Sequence, residues 1–227
     1  MDLISFGLIM VAFIITTGAN LYINYEYSIY KNQSNNKQVS GRAAAKMILA
    51  ANGLNSVSIE CVDGTLTDHY DSAAKAVRLC QNNYNDSSIA AVAVACHECG
   101  HALQDKDGYL MLRIRHALFP IVRISSYMGY FAIAIGVCLS FFGLIWLGIL
   151  SECIILLFQI VTLPVEFNAS FRALKKIEEL DILDASEHKA AKKVLIAAAL
   201  TYVASVSATL LEILRLLLIF GSRRRRD

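Results

Sequence analysis

Between Arg123 and Glu166 the chain reads ISSYMGYFAIAIGVCLSFFGLIWLGILSECIILLFQIVTLPV, Ile124 to Val165, with Glu152 as its one charged residue. A bilayer core about 30 Å thick is crossed by roughly 20 apolar residues of helix. This stretch is about twice that length, so it predicts two crossings joined by a tight turn. Gly143 and Gly148, near its middle, mark the expected turn, although glycine is also common inside membrane helices. A lone carboxylate at bilayer depth costs at least ~2.5 kcal/mol on insertion scales. Glu152 is therefore expected to face other helices.

The same pattern recurs at both ends of the chain. No charge interrupts Leu3 to Tyr25, which is long enough for a span. It lacks the basic leader and the small-residue cleavage site of a signal peptide. A retained anchor is the expectation. Val194 to Phe220 is uncharged as far as Leu211 and then carries Glu212 and Arg215, whose i,i+3 spacing allows them to pair. Over all 227 residues, 56% are hydrophobic, 18% are charged, and the formal net charge is +2, with a mean hydropathy of +0.49. Soluble domains are about 25% charged, and disordered chains combine low hydrophobicity with high net charge. Both classes are excluded. Six cysteines are too sparse for a disulfide scaffold, and a reducing compartment is the default.

The expected architecture is mainly α and integral to a membrane, with three to four transmembrane helices and a small α+β domain. Its partition is an anchor at 1–25, a polar domain at 26–118, an apolar helical hairpin at 119–165, a connector helix at 166–193, and a fourth apolar helix with a basic tail at 194–227. Residues 26–123 carry ten Lys and Arg and residues 166–193 carry six, so the Lys/Arg bias predicts that both face the cytoplasm of a multi-pass cell-membrane protein. Four full crossings would then put Arg223 to Arg226 outside, against the same rule. Either the last stretch does not fully cross, or the rule breaks at the tail. Beside a membrane helix these arginines would meet anionic lipid head groups. No nucleic-acid-binding module and no phosphate-binding glycine loop is present.

Within the polar domain, Ser40 to Asn52 reads as a helix with Ser40 as N-cap and Gly53 as stop. Val57 to Val62 and Ala76 to Leu79 read as strands separated by a polar turn from Thr65 to Ser72, and Asn82 to Ser88 reads as a loop. Ile89 to Leu103 is an Ala- and Val-rich helix, and it carries His97, Glu98, Cys99, Gly100 and His101. Residues four apart on a helix share a face. His97 and His101 can thus bridge one zinc ion, and Glu98 beside them can take a proton from a zinc-bound water, acting as general base. Cys96 and Cys99 raise a rival site. Cys99, however, lies two positions from each histidine, on a different side of the helix, and both thiols read as small buried residues. Gly100 permits close approach of another backbone.

Candidates for the third ligand are Asp105, Asp107, His116, Glu152, Glu166, Glu178, Glu179 and His188. Glu166 is the best placed, because it follows Pro164 beyond the apolar hairpin, where a new helix is expected to open. On that helix Asn168 or Ser170 could support a ligand imidazole. A bland reading also exists: a carboxylate favours a helix N-terminus.

The runs SIAAVAVACHECGHALQ at Ser88 to Gln104, LTDHYD at Leu66 to Asp71 and LPVEFNAS at Leu163 to Ser170 resemble the YugP-type neutral zinc metallopeptidases of bacterial membranes. A wider likeness is to membrane gluzincins such as the CAAX prenyl protease and the HtpX-type proteases. The resemblance implies a gluzincin-like zinc peptidase domain in which His97, His101 and Glu166 hold zinc and Glu98 is the catalytic base. In the wider group an aspartate four residues after the third ligand supports a zinc-bound histidine. Ser170 stands there in this chain, so the support would fall to Ser170 or Asn168. The resemblance also implies that Lys75 to Leu79 is an edge strand that pairs with extended substrate, with Arg78 near the cleft. His69 and Tyr70 are candidates to stabilise an oxyanion; each also reads as an ordinary turn residue.

The expectation is a membrane-embedded zinc endopeptidase acting on protein or peptide substrates. Zinc hydrolysis of a non-peptide bond and a scaffold with a structural zinc site are the alternatives.

Overall fold

The computed structural model describes residues 3–221, so the expectation for Arg223 to Arg226 lies outside the described residues. In chain order the elements are α1 (Leu3–Tyr30), α2 (Gly41–Ala51), β1 (Ser58–Val62), β2 (His69–Asp71), β3 (Ala76–Cys80), α3 (Gln81–Asn85), α4 (Ile89–Lys106), α5 (Leu110–Cys138), α6 (Phe142–Glu179) and α7 (Ala185–Gly221). The protein is mainly α with one small sheet. Helices α1, α5, α6 and α7 are each long and apolar enough to cross a membrane. Two compact units divide the chain. The first holds residues up to 20, 113–164 and those from 200 onward; the second holds 21–112 and 165–199.

The first unit is helical, and much of its apolar surface is exposed, including Phe13, Ile14, Tyr130 and Phe131. In water such a surface would be a liability, and in lipid it is the ordinary outer face. Ile145, Ile149, Leu216 and Phe220 form its buried cluster. The turn between the two central spans falls at residues 139–141, not around Gly143 to Gly148, with Ser140 in the left-handed conformation at φ 53°. Both glycines lie inside α6 instead. A Cβ at Gly148 would come within 2.2 Å of the Ile133 side chain and 3.0 Å of the Gly129 carbonyl oxygen, so this glycine serves close helix packing. Arg215 donates to both carboxylate oxygens of Glu212, as the i,i+3 spacing suggests.

The second unit builds the polar domain. Its sheet has the order β1-β3-β2, with β1 parallel and β2 antiparallel to β3. Ser40 caps α2 by accepting from the Ala43 N–H at 3.3 Å, and Asn52 ends it as read from the sequence. Two elements were not expected: β2 lies within the polar turn, and the five-residue α3 lies where a loop was read. Asp68 accounts for both. Its carboxylate accepts from the Cys80 N–H and from Asn83 Nδ2, which ties the approach to β2 against the end of β3 and the first turn of α3.

Lys75 to Leu79 is also corrected: β3 is the middle strand, so both its edges are already paired and the sheet's outer strands are β1 and β2. A further difference concerns α6. It continues through Pro164 to Glu179 without a break, so no separate connector helix opens at Glu166, and a single helix then runs from Ala185 to Gly221. Between them Asp184 precedes α7, and Glu187 accepts from the Asp184 and Asn36 backbone N–H groups. The bond from the Asp184 N–H is the glutamate half of a capping box, and the Asp184 carboxylate itself accepts from Asn36 Nδ2.

The core of this unit joins α2, β3, α4, the end of α6 and the start of α7 through Ala44, Ile48, Val77, Leu79, Val92, Cys96, Ile177 and Val194. Helix α4 is buried almost all round, which suits its run of alanine and valine. Replacing Ile48, which is 0% exposed, by alanine should destabilise the domain by about 2–5 kcal/mol. Thermal unfolding in detergent, followed by circular dichroism, measures this.

Candidate metal centre

Ser88 starts α4, accepting from the Ala91 N–H at 3.2 Å, and the helix then runs unbroken past His101. His97 and His101 share a face and their rings meet edge to face, centroids 4.8 Å apart. Opposite them stands Glu166. His97 Nε2 is 3.2 Å from Glu166 Oε2 and His101 Nε2 is 3.7 Å from the same oxygen. One ligand atom from each residue lies within 4.8 Å of the others.

What brings Glu166 here is the approach of α6 to α4. A Cβ on Gly100 would lie 2.4 Å from the Ala169 carbonyl oxygen and 2.9 Å from its carbon. The two backbones are in contact at that point, and only glycine leaves room for it. Glu166 sits one helical turn before Ala169, level with the imidazoles, and is 3% exposed. An isolated buried carboxylate is costly, and two imidazoles provide its counterpart.

The outer nitrogens of both rings are committed elsewhere. His97 Nδ1 is 3.1 Å from Ser170 Oγ, and His101 Nδ1 is 3.0 Å from Gln104 Oε1. Both Nε2 atoms are thus turned toward Glu166. This set of two imidazole nitrogens and one carboxylate oxygen fits zinc. Bonds of 2.0–2.2 Å in a tetrahedron place ligand atoms about 3.3 Å apart, close to the two separations observed.

Glu98 lies next to this group, 8% exposed, and its carboxylate accepts from the Tyr70 backbone N–H of β2. Burial pushes its pKa up to about 7, the negative charges of Glu166 and Asp68 act in the same direction, and His97 opposes them. A carboxylate held near neutrality can take and return a proton in the physiological range.

Several other expected residues occupy different settings. Tyr70 donates its hydroxyl to Asp105 Oδ2 at 2.7 Å, and burial together with that carboxylate raises its pKa. The hydroxyl is therefore engaged with Asp105, while the backbone N–H of the same residue reaches Glu98. His69 is exposed, with Nδ1 2.7 Å from the Thr67 carbonyl. Arg78 is held between Glu60 and Asp71. Asn168 makes no hydrogen bond to an imidazole among the described residues; its Oδ1 accepts from Gln104 and Arg172. Cys96 and Cys99 are fully buried, Cys99 facing the Ala45 carbonyl on α2, and burial raises both thiol pKa values. Gln104 was not among the expected site residues. Its signal was nonetheless present, since a polar residue three positions after His101 lies on the same helix face.

Among the described residues the chain thus combines four helices long and apolar enough to cross a membrane with a group, His97, His101 and Glu166, that could hold a metal ion. A model of the family described as "Putative neutral zinc metallopeptidase" matches residues 5–221, and the chain belongs to that family. It is 44% identical over 185 residues, 82% of each chain, to the "Putative membrane protease YugP" of Bacillus subtilis (strain 168). No solved structure matches the chain.

The contact at Gly100 yields a prediction. Gly100→Ala should force α4 and α6 apart and lower zinc affinity by about tenfold or more, comparable to losing an outer-shell support. Gly7→Ala, where an added Cβ meets nothing within 4 Å, should leave affinity unchanged. Competitive titration against a zinc chelator in detergent reads both.

Proposed function

We propose that this protein is a membrane-embedded zinc endopeptidase, with His97, His101 and Glu166 as metal ligands and Glu98 as general base. The observation that supports it most is the pairing of a convergent N,N,O donor set with a buried carboxylate alongside that belongs to no ligand position. A purely structural metal site has no use for the latter. Bound zinc would polarise the scissile carbonyl and lower the pKa of a coordinated water to about 7. The rest falls to the chain. Glu98, fixed by the Tyr70 N–H, receives a proton at its carboxylate and delivers it to the departing amine nitrogen. Ser170 orients His97 through Nδ1. The apolar wall of α4 limits access of bulk water around Glu98, which strengthens each of these interactions.

The substrates on this reading are proteins or peptides presented at the membrane. The ten Lys and Arg residues of 26–123 and the six of 166–193 support a cytoplasmic location for the site under the positive-inside rule, which counts Lys and Arg and not net charge.

In the test, detergent-purified wild type and Glu98→Gln are compared for zinc content and for cleavage of an unstructured protein such as casein. Glu98→Gln should keep about one zinc per chain and lose activity by roughly 10²–10⁴-fold, the usual contribution of a general base. Equal cleavage by both proteins would remove Glu98 from the mechanism. Glu166→Ala should lose the zinc as well as the activity.

A further inference from the structure

Gln104 is 0% exposed and lies on the face of α4 that carries His97 and His101. Its amide is fully engaged. Nε2 donates to the Val165 carbonyl at 2.7 Å and to Asn168 Oδ1 at 3.0 Å, and Oε1 lies 3.0 Å from His101 Nδ1. The orientation of this amide follows from its partners. A backbone carbonyl can only accept, so the group facing Val165 must be the NH2. Independently, Arg172 has no acceptor, and its Nε is 2.8 Å from Asn168 Oδ1. Asn168 therefore presents an oxygen to Gln104, and Gln104 again presents its NH2. Its remaining atom, Oε1, is an acceptor, and a hydrogen bond to it requires His101 to carry its proton on Nδ1.

The chain of constraint extends one step outward. Arg172 is also paired with Asp107 at the end of α4. Asp107, Arg172, Asn168 and Gln104 thus link α4 to the segment of α6 that carries Glu166, using groups whose donor and acceptor roles leave one arrangement.

Resting on the metal-site reading above, we propose that Gln104 is the positioning residue for His101: its side-chain oxygen selects the Nδ1–H tautomer and aims Nε2 at the metal position, and Arg172 fixes that oxygen through Asn168. The two ligand imidazoles are then held by different means. A serine hydroxyl, which can donate or accept, stands behind His97, whereas a one-way acceptor stands behind His101. The neutral amide behind His101 supports the ring without adding a further buried negative charge beside Glu98 and Glu166.

The first test needs no metal and no substrate. In metal-free wild type labelled with 15N-histidine and held at a pH where the imidazoles are neutral, His101 should show the Nδ1–H tautomer, assigned by loss of its signals in His101→Gln. Gln104→Met, of similar shape but with no acceptor oxygen, should lose that selection. Its zinc affinity should fall about 10–100-fold while the His97 signals stay close to wild type, and the loss of its bonds to Val165 and Asn168 should also lower the thermal stability. An Nε2–H tautomer in wild type overturns the proposal, and so does a Gln104→Met protein with unchanged tautomer and zinc affinity. If Gln104→Met does not fold, the wild-type spectrum still decides. Should wild type bind no zinc, the metal reading fails by itself, and the metal-free tautomer separately reports whether Gln104 acts on His101.

Discussion

The contact of Gly100 with the Ala169 backbone is the constraint on which the site depends. His97 and His101 are prepared locally: any helix through Ile89–Lys106 puts them on one face. Glu166 is not. It must be carried from a helix far along the chain, to a depth where both imidazoles reach it, and a single β-carbon at position 100 would occupy the space that makes this possible. Small residues on α4 serve the same end elsewhere, with Ala90, Ala91, Ala93, Ala95 and Ala102 all at most 1% exposed. The helix is shaped for close approach on several sides.

Polar groups inside so dense a domain are tolerated only when paired, and the pairing here is directional. Ser170 and Gln104 stand behind the two imidazoles, the Tyr70 N–H holds Glu98, and Asp68 holds the segment leading into β2. Ser170 ties His97 to α6, the Tyr70 N–H ties Glu98 to β2, and Gln104 links His101 to α6 through Val165 and Asn168. The precision of the site therefore rests on α4, α6 and β2 together, and loosening any one of them would be felt at the imidazoles.

Local features were legible in the sequence and long-range ones were not. Helix α2 with its Ser40 cap, the strands β1 and β3, and the helix bearing His97, Glu98 and His101 all follow from periodicity and capping. The short strand His69–Asp71 could not be read that way, because three residues carry no periodic signal and their pairing partner, β3, lies further along the chain. Pro164 and the glycines near position 143 look like punctuation, yet α6 passes through all of them. In a long apolar helix, packing outweighs the local preference of a proline or a glycine. Glu166 was found through its place after an apolar run, although the helix does not begin there. Ser170 or Asn168 was expected behind an imidazole; Ser170 lies at His97, while Asn168 stands one residue further out from His101, with Gln104 between them. A spacing rule identifies which residues share a face, but not which of two amides is nearer the ring.

X-ray absorption at the zinc edge of the metal-loaded protein tests the central claim most directly. The account predicts a first shell of nitrogen and oxygen at about 2.0–2.2 Å with the multiple-scattering signature of two imidazoles. Sulfur at about 2.3 Å, which would mean that Cys96 or Cys99 binds the metal, or a shell containing a single imidazole, would contradict it.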